Sequence, residues 1–162
     1  MVIAGISVGD RVHRKNGANL GIVRSVQHQP GEFGDYALVE VDSLLVSLTN
    51  TINFNSVQVR VTGRVAEPAP RKLLIRTGSM NGGNYQFVVV DAIGLTANGL
   101  RGISSAYHFM GTRPVTGDSG GAILEQTNNG NNHSFAGVFS GDDANHIYYT
   151  PPRYVVGFIP FT

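Results

Sequence analysis

Residues 116–124 read TGDSGGAIL. A serine hydroxyl is a weak nucleophile until a base takes its proton. It also needs backbone N–H groups aimed at the oxygen that becomes negative on attack. Glycines allow the tight backbone such a donor pair needs, and Gly117 and Ser119 are spaced to aim two amides at one point. Asp118 keeps the turn polar, Gly120 and Gly121 leave room for a substrate backbone, and Ala122–Leu124 begins an apolar strand. The same small residues also build ordinary polar turns. On their chemistry alone both readings stand.

Composition narrows the surroundings. The chain has 162 residues, 41% of them apolar, with 21 glycines and 7 prolines. Short β-branched runs broken by glycine and proline favour many strands joined by turns. A net charge of +1 offers no field to attract nucleic acid or a membrane surface. No apolar run reaches the length of a membrane span, and the apolar start at Met1–Ile6 is too short for a secretion signal. There is no cysteine, so disulfide and thiolate chemistry are excluded. That composition fits a reducing compartment without excluding export. No cofactor or metal-ligand pattern is expected. Asp142-Asp143 reads as a solvated acidic pair, since calcium needs more oxygen ligands at regular spacing.

The GDSGG of residues 117–121, followed by an apolar residue, resembles the nucleophile segment of chymotrypsin-like serine peptidases, closest to their bacterial-type members. The resemblance spans residues 9–158. It implies an all-β fold, a chymotrypsin-like double β-barrel with a shortened N-terminal barrel. It implies Ser119 as nucleophile, with the Gly117 and Ser119 amides as oxyanion hole. GDYALVEVD, residues 34–42, is similar to the segment in which the triad aspartate precedes an apolar strand. Asp35 then orients an imidazole, although by itself it also reads as a turn acid.

The histidine segment is the missing part. The family's histidine follows an apolar-alanine pair, and the nearest local likeness, residues 2–6 (VIAGI), puts Ile6 in its place. His28 stands too near Asp35 for a hairpin to bring it back. His13 is set back far enough for an intervening hairpin and is the resident candidate for the base, against a plain reading as a charged-surface histidine. His108, between aromatic neighbours, reads as a core-edge residue. The family carries more residues before its aspartate than the 34 present here. That implies a base that is absent, or one supplied by a partner chain completing the first barrel.

Along the chain, strands are expected from Val12, at 20–28, 37–41, 44–48, 52–54 and 57–62. The run Glu67-Pro68-Ala69-Pro70 cannot continue a ladder, because proline lacks the N–H. This divides the chain into an N-terminal barrel at 1–66, a linker at 67–72 and a C-terminal barrel at 73–162. Further strands are expected at 73–76, 85–90, 135–141, 147–149 and 154–159. Turns are expected at 77–83 and 126–132, with a glycine-broken polar stretch at 95–102. Asn132-His133-Ser134 is a glycosylation acceptor if the chain is exported.

The resemblance adds a substrate path. Arg113 lies on the loop that helps form the family's primary specificity pocket, where it opposes basic side chains and pairs with acidic ones. By its residue type alone it is a solvent-exposed loop arginine. Ser140, Gly141 and Asp142 are implied to offer backbone to an extended peptide by strand addition, with Ser140 hydrogen-bonding near Asp35. The expected partner is a peptide or protein substrate. The competing reading is an inactive relative of the same fold, a peptide-binding or assembly module.

Overall fold

A computed structural model describes residues 5–14, 16–45, 47–54, 56–78, 84–127 and 131–155. Among them the chain is all-β, with eleven strands and one 3-10 turn at Pro152–Tyr154. Residues 79–83 of the expected glycine turn, 128–130 of the expected Asn-rich hairpin and 156–159 of the expected last strand lie outside them, as does the start of the 2–6 likeness.

The first three strands, β1 (Arg11–His13), β2 (Asn19–Gln27) and β3 (Tyr36–Val41), form an antiparallel sheet in that order. Its buried side chains include Val23 and Tyr36. The strand expected at 44–48 does not form among its described residues. The Asp42 carboxylate accepts the Leu44 N–H at 3.0 Å and its carbonyl accepts the Leu45 N–H. That local competition turns the chain and leaves Leu44 93% exposed.

The remaining strands are β4 (Thr51–Phe54), β5 (Val57–Arg64), β6 (Leu73–Thr77), β7 (Tyr85–Ala97), β8 (Leu100–Gly111), β9 (Ala122–Gln126), β10 (Asn132–Asp142) and β11 (His146–Thr150). Their order is β11-β8-β7-β6-β9-β10-β5-β4, and β10 also pairs with β11. That last pairing closes six strands, β6 to β11, into a ring with no free edge. β4 and β5 attach outside it, with β5 parallel to the first residues of β10. The stretch 67–72 runs between β5 and β6.

Alternation places Leu74, Val88, Val90, Ala106, Ile123, Ala136, Phe139, Ile147 and Tyr149 in one buried cluster. Each aliphatic side chain fully buried there contributes about 1.5–3 kcal/mol. The stretch 95–102 is the far end of a long hairpin. Asn98 (φ 50°) and Gly99 (φ 79°) turn it, the positive-φ pair that a two-residue hairpin loop favours. Bulges in the β7–β8 pairing absorb the other irregular residues.

Candidate active site

The loop that carries Ser119 hangs between β8 and β9 and is tied to β10. Gly120 donates to the Phe139 carbonyl at 2.8 Å, and Phe139 donates back to Gly121 at 2.9 Å. Gly117 and Gly120 have φ of +99° and +89°, conformations that disfavour a side chain. Gly121 serves close packing rather than substrate access: a Cβ there would lie 2.2 Å from the Thr77 carbonyl oxygen. Ser140 falls at a bulge, where the β10–β11 register shifts between Phe139 and Gly141. Its carbonyl accepts the Ser119 hydroxyl at 3.1 Å. The Ser140 hydroxyl itself is buried and unbonded among the described residues, so the expected bond toward Asp35 is not formed.

Asp118 does more than keep the turn polar. It is fully buried and faces Arg76, equally buried, at 3.3 Å. The same carboxylate oxygen accepts from Asn84 Nδ2 at 3.0 Å and the Val115 N–H at 3.1 Å. Arg76 also donates to Asn84 Oδ1 and to the Thr112 carbonyl, the latter at 2.7 Å. Burial pulls the guanidinium below its ordinary value, opposed by Asp118 and then Asp142. The loop is thus bolted from beneath by a cation that projects from β6. An arginine inside the apolar run LLIRT was the available sequence signal for it.

Asp35 sits at the head of β3, its side chain 3% exposed. The Asp35 N–H donates to Thr150 Oγ1 at 2.8 Å. Thr150 pairs with Val138, and Ser140, which holds the Ser119 hydroxyl, lies two residues further along β10, about 7 Å away at strand rise. Asp35 and the Ser119 loop therefore dock on one short stretch of the closed ring.

The imidazole beside Asp35 belongs to His28, not His13. His28 Nδ1 lies 2.9 Å from Asp35 Oδ1, with the ring's side chain 35% exposed. His28 forms no second ring hydrogen bond among the described residues. The chain between the two residues folds back without a hairpin. The Glu32 carboxylate accepts the His28 and Gln29 N–H groups at 2.9 and 2.7 Å, and Glu32 N–H donates to the Gln29 carbonyl at 3.0 Å. A polar side chain accepting successive amides closes such compact loops. His13 is exposed and pairs with Asn19 on β2, whereas Tyr36 pairs with Gln27 at that strand's other end. Strand rise sets those ends about 25 Å apart, which removes His13 from Asp35.

His108 is occupied elsewhere, with Gln86 against Nδ1 and the Asp143 carbonyl against Nε2 at 3.1 Å. Arg113 is exposed and donates to the Ala144 carbonyl at 2.8 Å, linking the 111–116 loop to the β10–β11 turn. Gly141 and Asp142 end β10 beside it, Asp142 exposed. In the same turn Asp143 accepts the Tyr148 hydroxyl at 2.6 Å and the Asn145 and His146 amides at 2.8 Å, and its carboxyl is held well below the usual range by that hydroxyl first. No group of three metal-ligating side chains gathers among the described residues. No helix among them is long and apolar enough to cross a membrane.

No protein-family model matches the sequence, and no curated protein does. Solved structures do match. A chymotrypsin of Cellulomonas bogoriensis aligns at 25% identity over 81% of this chain and 68% of its own, with a TM-score of 0.61. Nocardiopsis protease aligns at 22% identity over 90% and 73%, TM-score 0.69. A glutamic acid specific serine protease, which uses a histidine triad in substrate binding, aligns at 18% identity over 85% and 70%, TM-score 0.67. The chain is similar in structure to bacterial chymotrypsin-like serine proteases and has their all-β double-barrel fold.

Proposed function

We propose, from this chymotrypsin-like fold, that the chain is a serine endopeptidase acting by acyl transfer, with Ser119 as nucleophile, His28 as base and Asp35 as its acid partner. The observation that carries the reading is the 2.9 Å contact between His28 Nδ1 and buried Asp35. A carboxylate on Nδ1 fixes the tautomer with a proton there and leaves Nε2 basic. In the reaction His28 Nε2 takes the Ser119 proton as Oγ attacks the scissile carbonyl carbon. The Gly117 and Ser119 amides receive the oxyanion. The imidazolium then returns its proton to the leaving amine, and water repeats the sequence on the acyl-enzyme. The substrate runs as an extra strand beside Ser140–Asp142. Arg113, at the wall joined to Ala144, disfavours basic side chains next to the scissile bond and favours acidic ones. On this reading 67–72 is the linker that leads from a shortened first barrel into the barrel that holds Ser119, with β4 and β5 before it leaning on β10 of that second barrel.

A second reading, a non-catalytic relative that binds peptides or assembles, is favoured by one contact. The Ser119 hydroxyl spends its proton on the Ser140 carbonyl, the proton a base must take. A serine-directed fluorophosphonate separates the two. The peptidase reading expects one covalent adduct per chain by intact mass, mapped to the peptide holding Ser119 and absent in Ser119→Ala. An unlabelled wild-type chain supports the non-catalytic relative.

A further inference from the structure

The β7–β8 hairpin is longer than closure of the ring requires. β8 pairs with β11 only over Ser104–Tyr107, and β7 pairs with β6 only over Tyr85–Val89. The far part of the hairpin reaches the 29–34 loop, whose two ends carry His28 and Asp35. Three backbone bonds of 2.8 Å join them: Gly31 N–H to the Gly99 carbonyl, Arg101 N–H to Glu32, and Gly34 N–H to Arg101. Phe33 and Arg101 form a parallel bridge. The Arg101 guanidinium lies 4.3 Å from the Phe33 ring centre, and that ring stacks on Tyr154 at 5.1 Å. Gly102, at φ +68°, lets Tyr154 approach: a Cβ there would lie 2.6 Å from its ring.

His28 itself is half-exposed, so core packing does not hold its ring. What fixes it is Asp35 and the shape of the loop that joins them. We infer that the Arg101 side chain, next to the tip of the β7–β8 hairpin, is a positioning group: by covering the Phe33 ring it keeps the 29–34 loop seated on the hairpin, and so holds the His28 ring in register with Asp35. This rests on the reading of His28 as the base.

The test pairs a structural signal with a chemical one. Proton NMR reads the hydrogen-bonded Nδ1 proton of His28, assigned by its loss in His28→Gln. Fluorophosphonate labelling reads the reactivity of Ser119. Arg101→Ala is expected to lose or broaden the Nδ1 signal and to slow labelling on the order of 10- to 100-fold, as small misplacements of catalytic groups do, with the circular dichroism spectrum unchanged. Arg101→Lys, which keeps a cation on Phe33, restores both in part. Phe33→Leu, which removes the ring from Arg101 and Tyr154 together, reproduces the loss by an independent change. An Nδ1 signal that survives in Arg101→Ala and Phe33→Leu overturns the positioning role, whatever the labelling does. If the wild-type chain is not labelled and Arg101→Ala still loses the signal, the positioning role stands and catalysis falls.

Discussion

The two halves of the chain solve the same problem unequally. Strands β6 to β11 close on themselves, so every strand in that ring has two neighbours and the interior fills with aliphatic and aromatic side chains. Strands β1 to β3 form an open sheet among the described residues. Val39 on β3 is exposed, as are Leu44, Leu45 and Leu48 in the loop that follows. The residues with chemistry respect this difference. The Ser119 loop is built wholly on the ring and bolted by Arg76. The His28–Asp35 pair belongs to the open half yet takes its rigidity from the ring, through Thr150 and the β7–β8 tip. A weakly closed sheet can present an ordered acid–imidazole pair when a neighbouring barrel holds the loop that carries it.

Substitutions that strike the two halves differently can break this contrast. The largest effect is expected from Arg76→Met, which leaves the Asp118 carboxylate buried beside Asn84 without its cation. Losing one partner of a buried pair costs about 3–5 kcal/mol, read as a shift in the urea midpoint. A loss below about 1 kcal/mol would mean that the bolt is not needed. Leu74→Ala, at a fully buried ring position, is expected to cost about 2–5 kcal/mol. Val23→Ala, the buried counterpart in the open sheet, removes two methyl groups and is expected to cost about 1.5 kcal/mol. Because Leu74→Ala deletes one carbon more than Val23→Ala, equal costs at the two sites would show the open sheet to be at least as consolidated as the ring. Leu44→Ser and Leu48→Ser are expected to stay within about 0.5 kcal/mol of wild type. A larger loss would show those leucines to be covered in solution.

The smallest expected effect concerns acid. Asp143 is held below its ordinary value by the Tyr148 hydroxyl first, then by the Asn145 and His146 amides. A depressed carboxyl supports the turn above the ordinary carboxylate range, and that support fades as pH falls through the depressed value. Hydrogen exchange at the Asn145 and His146 amides, after correction for intrinsic rates, should therefore lose protection only well below about pH 4. Asp143→Asn should make protection flat across that range.

Much of the fold was legible because its signals are local. TGDSGGAIL and GDYALVEVD each carry a turn and the strand after it in consecutive residues, and in both the turn and the strand form. The 44–48 strand was misread because the apolar run hides Asp42, whose side chain captures the next amides and turns the chain. The long hairpin was missed at 95–102 although Asn98-Gly99 is a strong two-residue turn signal. The partner of Asp35 was misassigned to His13 on the assumption that only a hairpin returns a side chain to a nearby residue. Pro30-Gly31 and the Glu32 carboxylate close the 28–35 stretch without one. Arg76 was passed over because its partner, Asp118, is 42 positions away, and such pairing is set by strand order, which local patterning does not encode.

The proposed catalysis depends on His28, not His13, serving Ser119. Its most direct measurement is the second-order rate of fluorophosphonate labelling in His28→Gln set beside His13→Gln. The prediction is that His13→Gln reacts at the wild-type rate while His28→Gln is slower by about 10²- to 10⁴-fold, the range for losing a general base. A His28→Gln chain that reacts as fast as wild type, or a loss found only in His13→Gln, would contradict it.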